Sequence, residues 1–327
     1  MNLRRQWWYL KHKLECPVSH SRVPFALMLW FEATGGFLRP AGAQQNVAPE
    51  LIPYLNARSV VDFSSEELIK LMPELKNVDF SQTQEPLGPI LKKIGENVEA
   101  FFKNFPNTTA LENLYLEREE PGKAADQYIK FRFYYIISAR NSEDELGLEE
   151  YRTSLNDERI NPNELKGAYL MTSGHASAPL YFHPRLSAGC RFRYLGREKK
   201  MPQAHVIAFA QDPEKTRTWG TVNLLGSEAA ILKQGAVWVD PRDCQILRMR
   251  SELLAPRTDA GLDQHTSIID FSEVRFEGFS RILWLPREVQ LVLRFKGWKF
   301  TNQHRYSQYR LFAVESIDGA KKIKKKS

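Results

Sequence analysis

The chain has 327 residues, of which 43% are hydrophobic and 26% are charged, and this ordinary globular composition excludes a mostly disordered protein. The formal net charge of +7 is concentrated near the two ends, so we predict no specific nucleic-acid partner; a lysine-rich tail at residues 317–327 is typical of a solvated chain end. Aromatic residues make up 12% of the chain and many alternate with β-branched residues, which favours a β-rich fold.

Residues 1–43 have the order of a secretory signal peptide. Basic residues precede an apolar run at 23–38, and the small residues Ala41 and Ala43 follow it. We predict cleavage after Ala43 and export, to the periplasm or otherwise out of the cytoplasm. Because Glu32 interrupts the apolar run, an uncleaved N-terminal anchor is the alternative.

Two helices are predicted before the strands begin. In the N-terminal extension, residues 44–84, Ser64 and Glu67 have the spacing of a capping box, which predicts a short helix at 65–75. Residues 86–105 have a helical apolar stripe that needs a partner surface. The stripe consists of Ile90, Leu91, Ile94, Val98, Phe101, Phe102 and Phe105.

From residue 111 onward the hydrophobic period changes to two, which predicts strands. A turn containing Pro121 and Gly122 joins the first two, and turns at 196–200 and 240–243 predict two further hairpins. Between them, residues 141–185 are interpreted as a surface insertion with a short helix near 145–155. The predicted strands are 111–117, 128–138, 191–195, 205–211, 220–225, 236–240, 245–253, 266–277, 288–295 and 306–314.

These elements predict a mainly β (α+β) fold. A flat sheet of so many strands tends to curl or split, so we expect a large curved antiparallel sheet, an incomplete β-barrel, with helices covering its concave face. Several strands have apolar residues on both faces, and both faces therefore need a cover. Helices, a second sheet or an acyl chain could each supply it.

Local motifs of catalysis and cofactor binding are absent from the sequence, so we predict no catalytic residue, cofactor or metal site. The histidines beyond residue 43 lack the close spacing of zinc ligands; His175 and His183 could share a metal, but turn or surface positions are favoured. His205 is interpreted as a hydrogen-bonded core residue. Arg248 and Arg250 are interpreted as charges on a solvated face that they share with Ile246.

Cys190 and Cys244 remain if the signal segment is removed with Cys16. In an oxidising compartment they could form one disulfide. Two buried thiols in different strands are the alternative.

Residues 235–241, with Val237, Trp238, Val239 and Asp240 before Pro241, and the strand that follows resemble the central hairpin of the LolA/LolB-like family of bacterial periplasmic lipoprotein carriers. The resemblance covers residues 85–316. It implies an incomplete β-barrel, similar to that of outer membrane lipoprotein-sorting proteins, whose cavity accepts acyl chains without catalysis. Periplasmic sensor domains share this fold. The 141–185 region and the basic tail depart from the family pattern.

Three functions therefore remain open. The first is an exported, non-catalytic binding protein whose apolar cavity holds the acyl chain of a lipid or lipoprotein, served by an envelope protein partner. The second is a sensor or structural module with a filled core, and the third is a hydrolase in which His175, His183 or His265 converges with carboxylates. Strand alternation gives the candidate cavity residues as Phe131, Phe133, Val237, Val239, Leu247, Met249, Leu291 and Leu293.

Overall fold

The computed structural model describes residues 47–123, 127–139, 146–154, 174–200, 203–224 and 227–311. The predicted signal segment and the basic tail lie outside these ranges, and so do residues 155–173 of the predicted insertion. No helix in the described part of the chain has the length and apolar character that a bilayer crossing requires.

An eleven-stranded antiparallel sheet dominates the fold, with the order β1-β5-β6-β9-β10-β11-β12-β13-β2-β3-β4. Strands β7 and β8 form a separate two-stranded sheet. Within the described residues β1 and β4 do not pair with each other, so the large sheet is open and the predicted fold class is confirmed. The strands are β1 (Val78–Phe80), β2 (Thr108–Glu119), β3 (Gln127–Ala139), β4 (Leu148–Ser154), β5 (Cys190–Glu198), β6 (His205–Gln211), β7 (Gly220–Leu224), β8 (Ser227–Ile231), β9 (Lys233–Val239), β10 (Ile246–Leu253), β11 (Leu262–Phe276), β12 (Phe279–Phe295) and β13 (Trp298–Leu311).

Helices lie against both faces of the large sheet. They are α1 (Ser65–Leu71), α2 (Leu87–Lys103) and α3 (Pro184–Ser187), together with the short 3₁₀ helices Pro49–Tyr54, Pro73–Asn77, Ala178–Phe182 and Thr258–Ala260. The predicted hairpins are confirmed: Val239 of β9 pairs with Ile246 of β10, and β5 pairs with β6.

The face that α2 covers is here called the inner face. Ile94 of α2 is fully buried, and Val98 and Phe102 are nearly so. They belong to the same buried apolar cluster as Val237 and Val239 of β9. The amphipathic stripe predicted for residues 86–105 is therefore confirmed, and the sheet is the partner surface that it needs.

The N-terminal segment covers the opposite, outer face. Its helix α1 begins with the predicted capping box, in which the Ser64 hydroxyl accepts from the Glu67 N–H at 3.2 Å and the Glu67 carboxylate accepts from the Ser64 N–H at 2.8 Å. Leu68 and Leu75 are completely buried in the cluster that contains Trp238 of β9. Helical segments thus cover apolar residues on both sides of β9.

The region predicted as a surface insertion is partly core, and the helix predicted near 145–155 is wrong. Residues Leu148–Ser154 form strand β4, which pairs with β3. Leu148 and Phe182 are buried in the inner-face cluster. The inward positions of β4 include Glu150 and Arg152, so the apolar alternation that marks a half-buried strand is missing here.

A β-bulge corrects the predicted faces of β10. The pairing register shifts between Ile246 and Arg248, and a bulge reverses which face the following residues point to. Ile246 and Met249 consequently face inward, whereas Leu247 packs in the outer-face cluster.

The basic row that was interpreted as solvated also changes. Arg248 and Arg250 lie on the outer face and do not share a face with Ile246. Arg248 pairs with Asp270 at 2.6 Å, and Arg250, which is only 5% exposed, pairs with Glu252 at 2.8 Å. Both are partners in ion pairs rather than free charges in water.

Candidate functional site

A row of buried polar side chains crosses the inner face from β9 to β4. We call this row the polar belt. Its members come from distant parts of the chain but occupy inward positions of their strands or of the segment before the 3₁₀ helix Ala178–Phe182. They are Lys233 (β9), His265 (β11), His175, His304 (β13), Glu112 (β2) and Arg152 (β4).

Glu112 is the centre of the β2 end of the belt and is 0% exposed. Its carboxylate accepts hydrogen bonds from His304 Nδ1 at 2.7 Å, from the Tyr306 hydroxyl at 2.9 Å and from the Arg152 guanidinium at 2.8 Å. Burial alone would raise the pKa of Glu112, but Arg152 and His304 outweigh it and hold that pKa far below its usual range. Glu112 is therefore ionised at neutral pH.

His304 is a neutral imidazole in this arrangement. Burial lowers its pKa, although the Glu112 carboxylate partly opposes this effect. Since a carboxylate can only accept, the hydrogen on the neutral ring must be on Nδ1, which leaves Nε2 as an acceptor. A carboxylate that orients an imidazole in this way is a common arrangement in sites of proton transfer.

Glu150 fixes the position of His175. Its buried carboxylate accepts from the backbone N–H groups of Gly174, Ala176 and Ser177 at 3.0–3.1 Å, and from the Tyr135 hydroxyl. Burial raises the pKa of Glu150, and these donors act in the opposite direction. The segment held by Glu150 places the His175 ring 4.8 Å from the His304 ring, centroid to centroid.

Lys233 and His265 form the β9 end of the belt. The Lys233 ammonium donates to His265 Nδ1, and both residues are at most 4% exposed. Burial lowers the pKa of Lys233 to about 7, against the attraction of Glu252. The pKa of His265 falls well below its usual range because of burial and the Lys233 charge. The belt therefore contains an amine that can change its charge near neutral pH.

Apolar areas flank the belt on the inner face. One is the cluster under α2, which contains Val237, Val239 and Met249. On the other side Leu291 and Leu293 join a cluster to which the β7–β8 hairpin contributes Val222 and Ile231. A further cluster combines Leu114, Leu116 and Phe133, with Phe131 packed against it.

The structure distributes the predicted cavity residues over these clusters. Val237, Val239 and Met249 lie in the first, Leu291 and Leu293 in the second, and Phe131 and Phe133 in the third; Leu247 is on the outer face. The seven inner-face residues share a face but do not form one cluster. The polar belt, which the sequence analysis missed, passes among them.

The other candidate residues lie outside the belt. His183 Nδ1 accepts from the Arg185 N–H at 3.2 Å and caps α3, and its ring contacts Phe102. His205 is buried and hydrogen-bonds through Nδ1 to the Tyr194 hydroxyl at 3.0 Å, as predicted for a core histidine.

Cys190 begins strand β5 and Cys244 lies in the β9–β10 turn; both are half-buried free thiols in this structure. Among the described residues no group of three or more His, Cys, Asp or Glu side chains has the arrangement of a metal site.

One signal in the sequence marks the belt. Glu112 shares a strand phase with Ala110 and Leu114, both of which are buried. A charged residue in phase with apolar neighbours indicates either an error in the strand assignment or a buried partner. Here the partners come from β4 and β13, which are far away in sequence.

No protein-family model matches the chain, and no curated protein sequence matches it either. Two solved structures match it at low structural similarity. One is a crystal structure described as an outer membrane lipoprotein-sorting protein domain from Vibrio parahaemolyticus, with 11% identity over 70% of this chain and 94% of that one, and a TM-score of 0.36. The other is a DUF1329 family protein from Desulfovibrio piger, with 9% identity over 71% and 95% of the two chains, and a TM-score of 0.28.

Identities and TM-scores this low concern the general arrangement of the elements. They say nothing about what this chain binds.

Proposed function

We propose that this chain is an exported, non-catalytic binding protein that holds the acyl chain of a lipid or lipoprotein against its inner face. The observation that carries the proposal is the polar belt between apolar clusters. An amphiphile has the same two parts: its chain would lie on an apolar area and its polar head would reach the belt. Each buried CH₂ would contribute roughly 0.8 kcal/mol.

The cost of the belt supports a functional role. An apolar set of side chains of similar volume is often as stable as a buried ion pair, or more stable. The inner face nevertheless contains Glu112, Arg152 and Lys233, together with three imidazoles. Clusters of titratable groups with strongly shifted pKa values are more frequent at functional sites than elsewhere.

Helix α2 is the element that we expect to open. Its contacts with the sheet are apolar side chains, which an acyl chain could replace. Among the described residues, Asn97 supplies its hydrogen bonds to the β9–β10 turn, donating from Nδ2 to the carbonyls of Asp243 at 2.8 Å and Cys244 at 3.2 Å. An envelope protein partner that loads or receives the ligand would need to break this polar attachment.

The test is native mass spectrometry of the protein purified from its own envelope fraction, followed by organic extraction and lipid analysis. The proposal expects a stoichiometric lipid or acylated peptide. The proposal would be refuted if the measured mass is that of the protein alone and the protein also binds no added fatty-acyl probe. That result would favour the sensor or structural module, which the packed cluster under α2 also fits.

A disulfide lock tests the opening of α2. Since the Asn97 amide is 3.2 Å from the Cys244 carbonyl, Asn97→Cys brings a second thiol beside Cys244. The oxidised variant should exclude acyl probes and the reduced variant should accept them, with thiol titration confirming the bond. Asn97→Cys combined with Cys244→Ser is the matched control and should bind under both conditions.

A hydrolase is the second candidate, and one contact between histidines favours it. His175 lies against His304, which is hydrogen-bonded to Glu112. A carboxylate-oriented imidazole can act as a general base toward water. In this case the purified protein would release fatty acid from ester substrates, and His304→Gln would abolish the release without preventing acyl binding.

A further inference from the structure

The outer face contains a cleft on the opposite side of the sheet from the polar belt. The 3₁₀ helix Pro73–Asn77 forms one wall, with Glu74 and Lys76, and the strands form the other. Glu198, Lys200, Trp238 and Arg248 line the strand side, and the volume is about 460 Å³. Small-molecule sites occupy roughly 300–1,000 Å³, so the cleft is large enough for a small ligand.

Glu74 and Glu198 are the carboxylates that line the cleft, and they belong to a network of ion pairs on the outer face. Arg248 pairs with Asp270, and this hydrogen bond is the main cause that raises the pKa of Arg248; Glu74 and Glu198 raise it further through their charges. Arg250 pairs with Glu252 at 2.8 Å and lies 3.3 Å from Glu74. In this network two guanidinium groups interact with four carboxylates, and Arg248, Glu74 and Glu198 are the members that line the cleft.

Two of these carboxylates have weak or incomplete hydrogen bonding. Glu198 is 5% exposed; its Oε2 accepts from the Trp238 indole at 3.4 Å and its Oε1 accepts from the Lys200 N–H at 3.2 Å, and both hydrogen bonds are long. Glu74 Oε2 is buried and accepts no hydrogen bond of good geometry, although Arg250 is near. A hydrogen-bond donor placed between Glu74 and Glu198 would therefore bond to buried acceptor oxygens. A buried acceptor that makes no hydrogen bond costs free energy.

The rim of the cleft has the opposite charge. Lys76 and Lys200 are exposed lining residues. An ammonium group at the acidic base and an anionic group at the lysines would both be matched. The indole of Trp238 also lines the cleft, and the Arg248 guanidinium lies 6.0 Å from the centre of its ring.

We propose that this cleft binds a small zwitterion, an ammonium group with a carboxylate or phosphate a few bonds away. Glu198 and Glu74 receive the ammonium group, and Lys200 and Lys76 receive the anion. The acyl-binding proposal concerns the other face and is independent of this one.

Isothermal titration of the full-length protein tests the site with four probes. O-phosphoethanolamine represents a phosphorylated amine, as in a lipid headgroup, and glycylglycine represents an amino acid or peptide. Ethanolamine and inorganic phosphate carry one charge each. At least one zwitterion should bind at millimolar concentration, and each single-charge probe should bind at least tenfold more weakly; which zwitterion is preferred identifies the source of the ligand.

Variants assign the two ends. Glu198→Gln should weaken both the zwitterion and ethanolamine at least tenfold, because a hydrogen bond to a charged group is worth about 1.5–3 kcal/mol. Lys200→Met, at an exposed position, should weaken the zwitterion and leave ethanolamine unchanged. Glu288→Gln removes a carboxylate of β12 outside the cleft and should change nothing.

The proposal is overturned if neither zwitterion produces heat, or if phosphate alone binds as well as the zwitterions. Equal binding by Glu198→Gln and Glu288→Gln would also overturn it. If Glu198→Gln does not fold, Lys200→Met tests the proposal alone. This variant must lose affinity for the zwitterion and keep its affinity for ethanolamine; any other result overturns the proposal.

Discussion

Glu112→Gln is the variant whose effect the structure predicts most directly. The amide keeps the size of the side chain and can still accept a hydrogen bond from His304 or Tyr306. It removes the negative charge that faces Arg152, whose side chain is only 13% exposed. A buried cation would then lack the counter-charge that Glu112 supplies.

Breaking one partner of a buried ion pair costs about 3–5 kcal/mol. At the size of this chain each kcal/mol lowers the melting temperature by about 2–4 °C, so we expect a decrease of about 10 °C. Glu117→Gln is the matched control, because Glu117 is on the same strand but on its half-buried, outward side. Its effect should be within about 0.5 kcal/mol of zero.

The pH dependence gives a second readout. Arg152 and His304 hold the pKa of Glu112 below its usual value against the effect of burial. A depressed carboxyl pKa contributes stability that is present above the unfolded-state pKa of about 4.3 and is lost as the pH falls further. The wild type should therefore lose about 1.4 kcal/mol per pH unit more than Glu112→Gln below about pH 4.3.

Urea unfolding between pH 3 and pH 7, followed by circular dichroism, measures both effects. The reasoning is refuted if Glu112→Gln and Glu117→Gln unfold at the same urea concentration at pH 7. It is also refuted if, below about pH 4.3, the free energy of unfolding of Glu112→Gln falls as steeply with decreasing pH as that of the wild type.

Three further predictions concern stability and one concerns binding. Ile94→Ala should cost about 2–5 kcal/mol in urea unfolding, because the side chain is 0% exposed under α2. Burial lowers the pKa of Lys233 from 10.5 to about 7, so stability should rise as the pH increases between these values, and Lys233→Met should abolish the rise in the same assay. Gly196→Ala should detach β1, because Gly196 has φ +135° and an added Cβ would lie 1.9 Å from the Asp79 carbonyl oxygen; hydrogen exchange at Val78–Phe80 would report the loss of protection. Acyl probes that differ by two CH₂ groups should differ by about 1.6 kcal/mol, roughly 15-fold in Kd, by titration calorimetry.

The elements that the sequence predicted well are those with local causes. Helix α2 follows from a stripe of three- and four-residue spacing, and α1 follows from Ser64 and Glu67, which are three residues apart. The β9–β10 hairpin follows from the turn at Asp240 and Pro241. In each case the interacting residues are close in sequence, so the pattern contains the whole signal.

The elements that were missed depend on partners that are distant in sequence. Strand β4 lacks apolar alternation because Glu150 bonds to the segment at 174–177 and Arg152 bonds to Glu112 on β2. The bulge after Ile246 is likewise a property of the pairing between β9 and β10. It moved Leu247 to the outer face, and alternation along a single strand could not reveal that.

The polar belt could be recognised only once the pairing of the strands was known. Glu112 is 40 positions from Arg152 and 192 positions from His304. The antiparallel pairing of β2 with β13, in which Glu112 opposes Tyr306 and Leu114 opposes His304, brings His304 to Glu112. The pairings of β2 with β3 and of β3 with β4 bring Arg152 there. Before that pairing is known, Glu112 is an isolated charge in an apolar row, and each histidine is an isolated ring. Once the pairing is known, the same residues form a connected polar site between apolar areas. The inner face is therefore partly polar and partly apolar, whereas strand alternation predicted an apolar face.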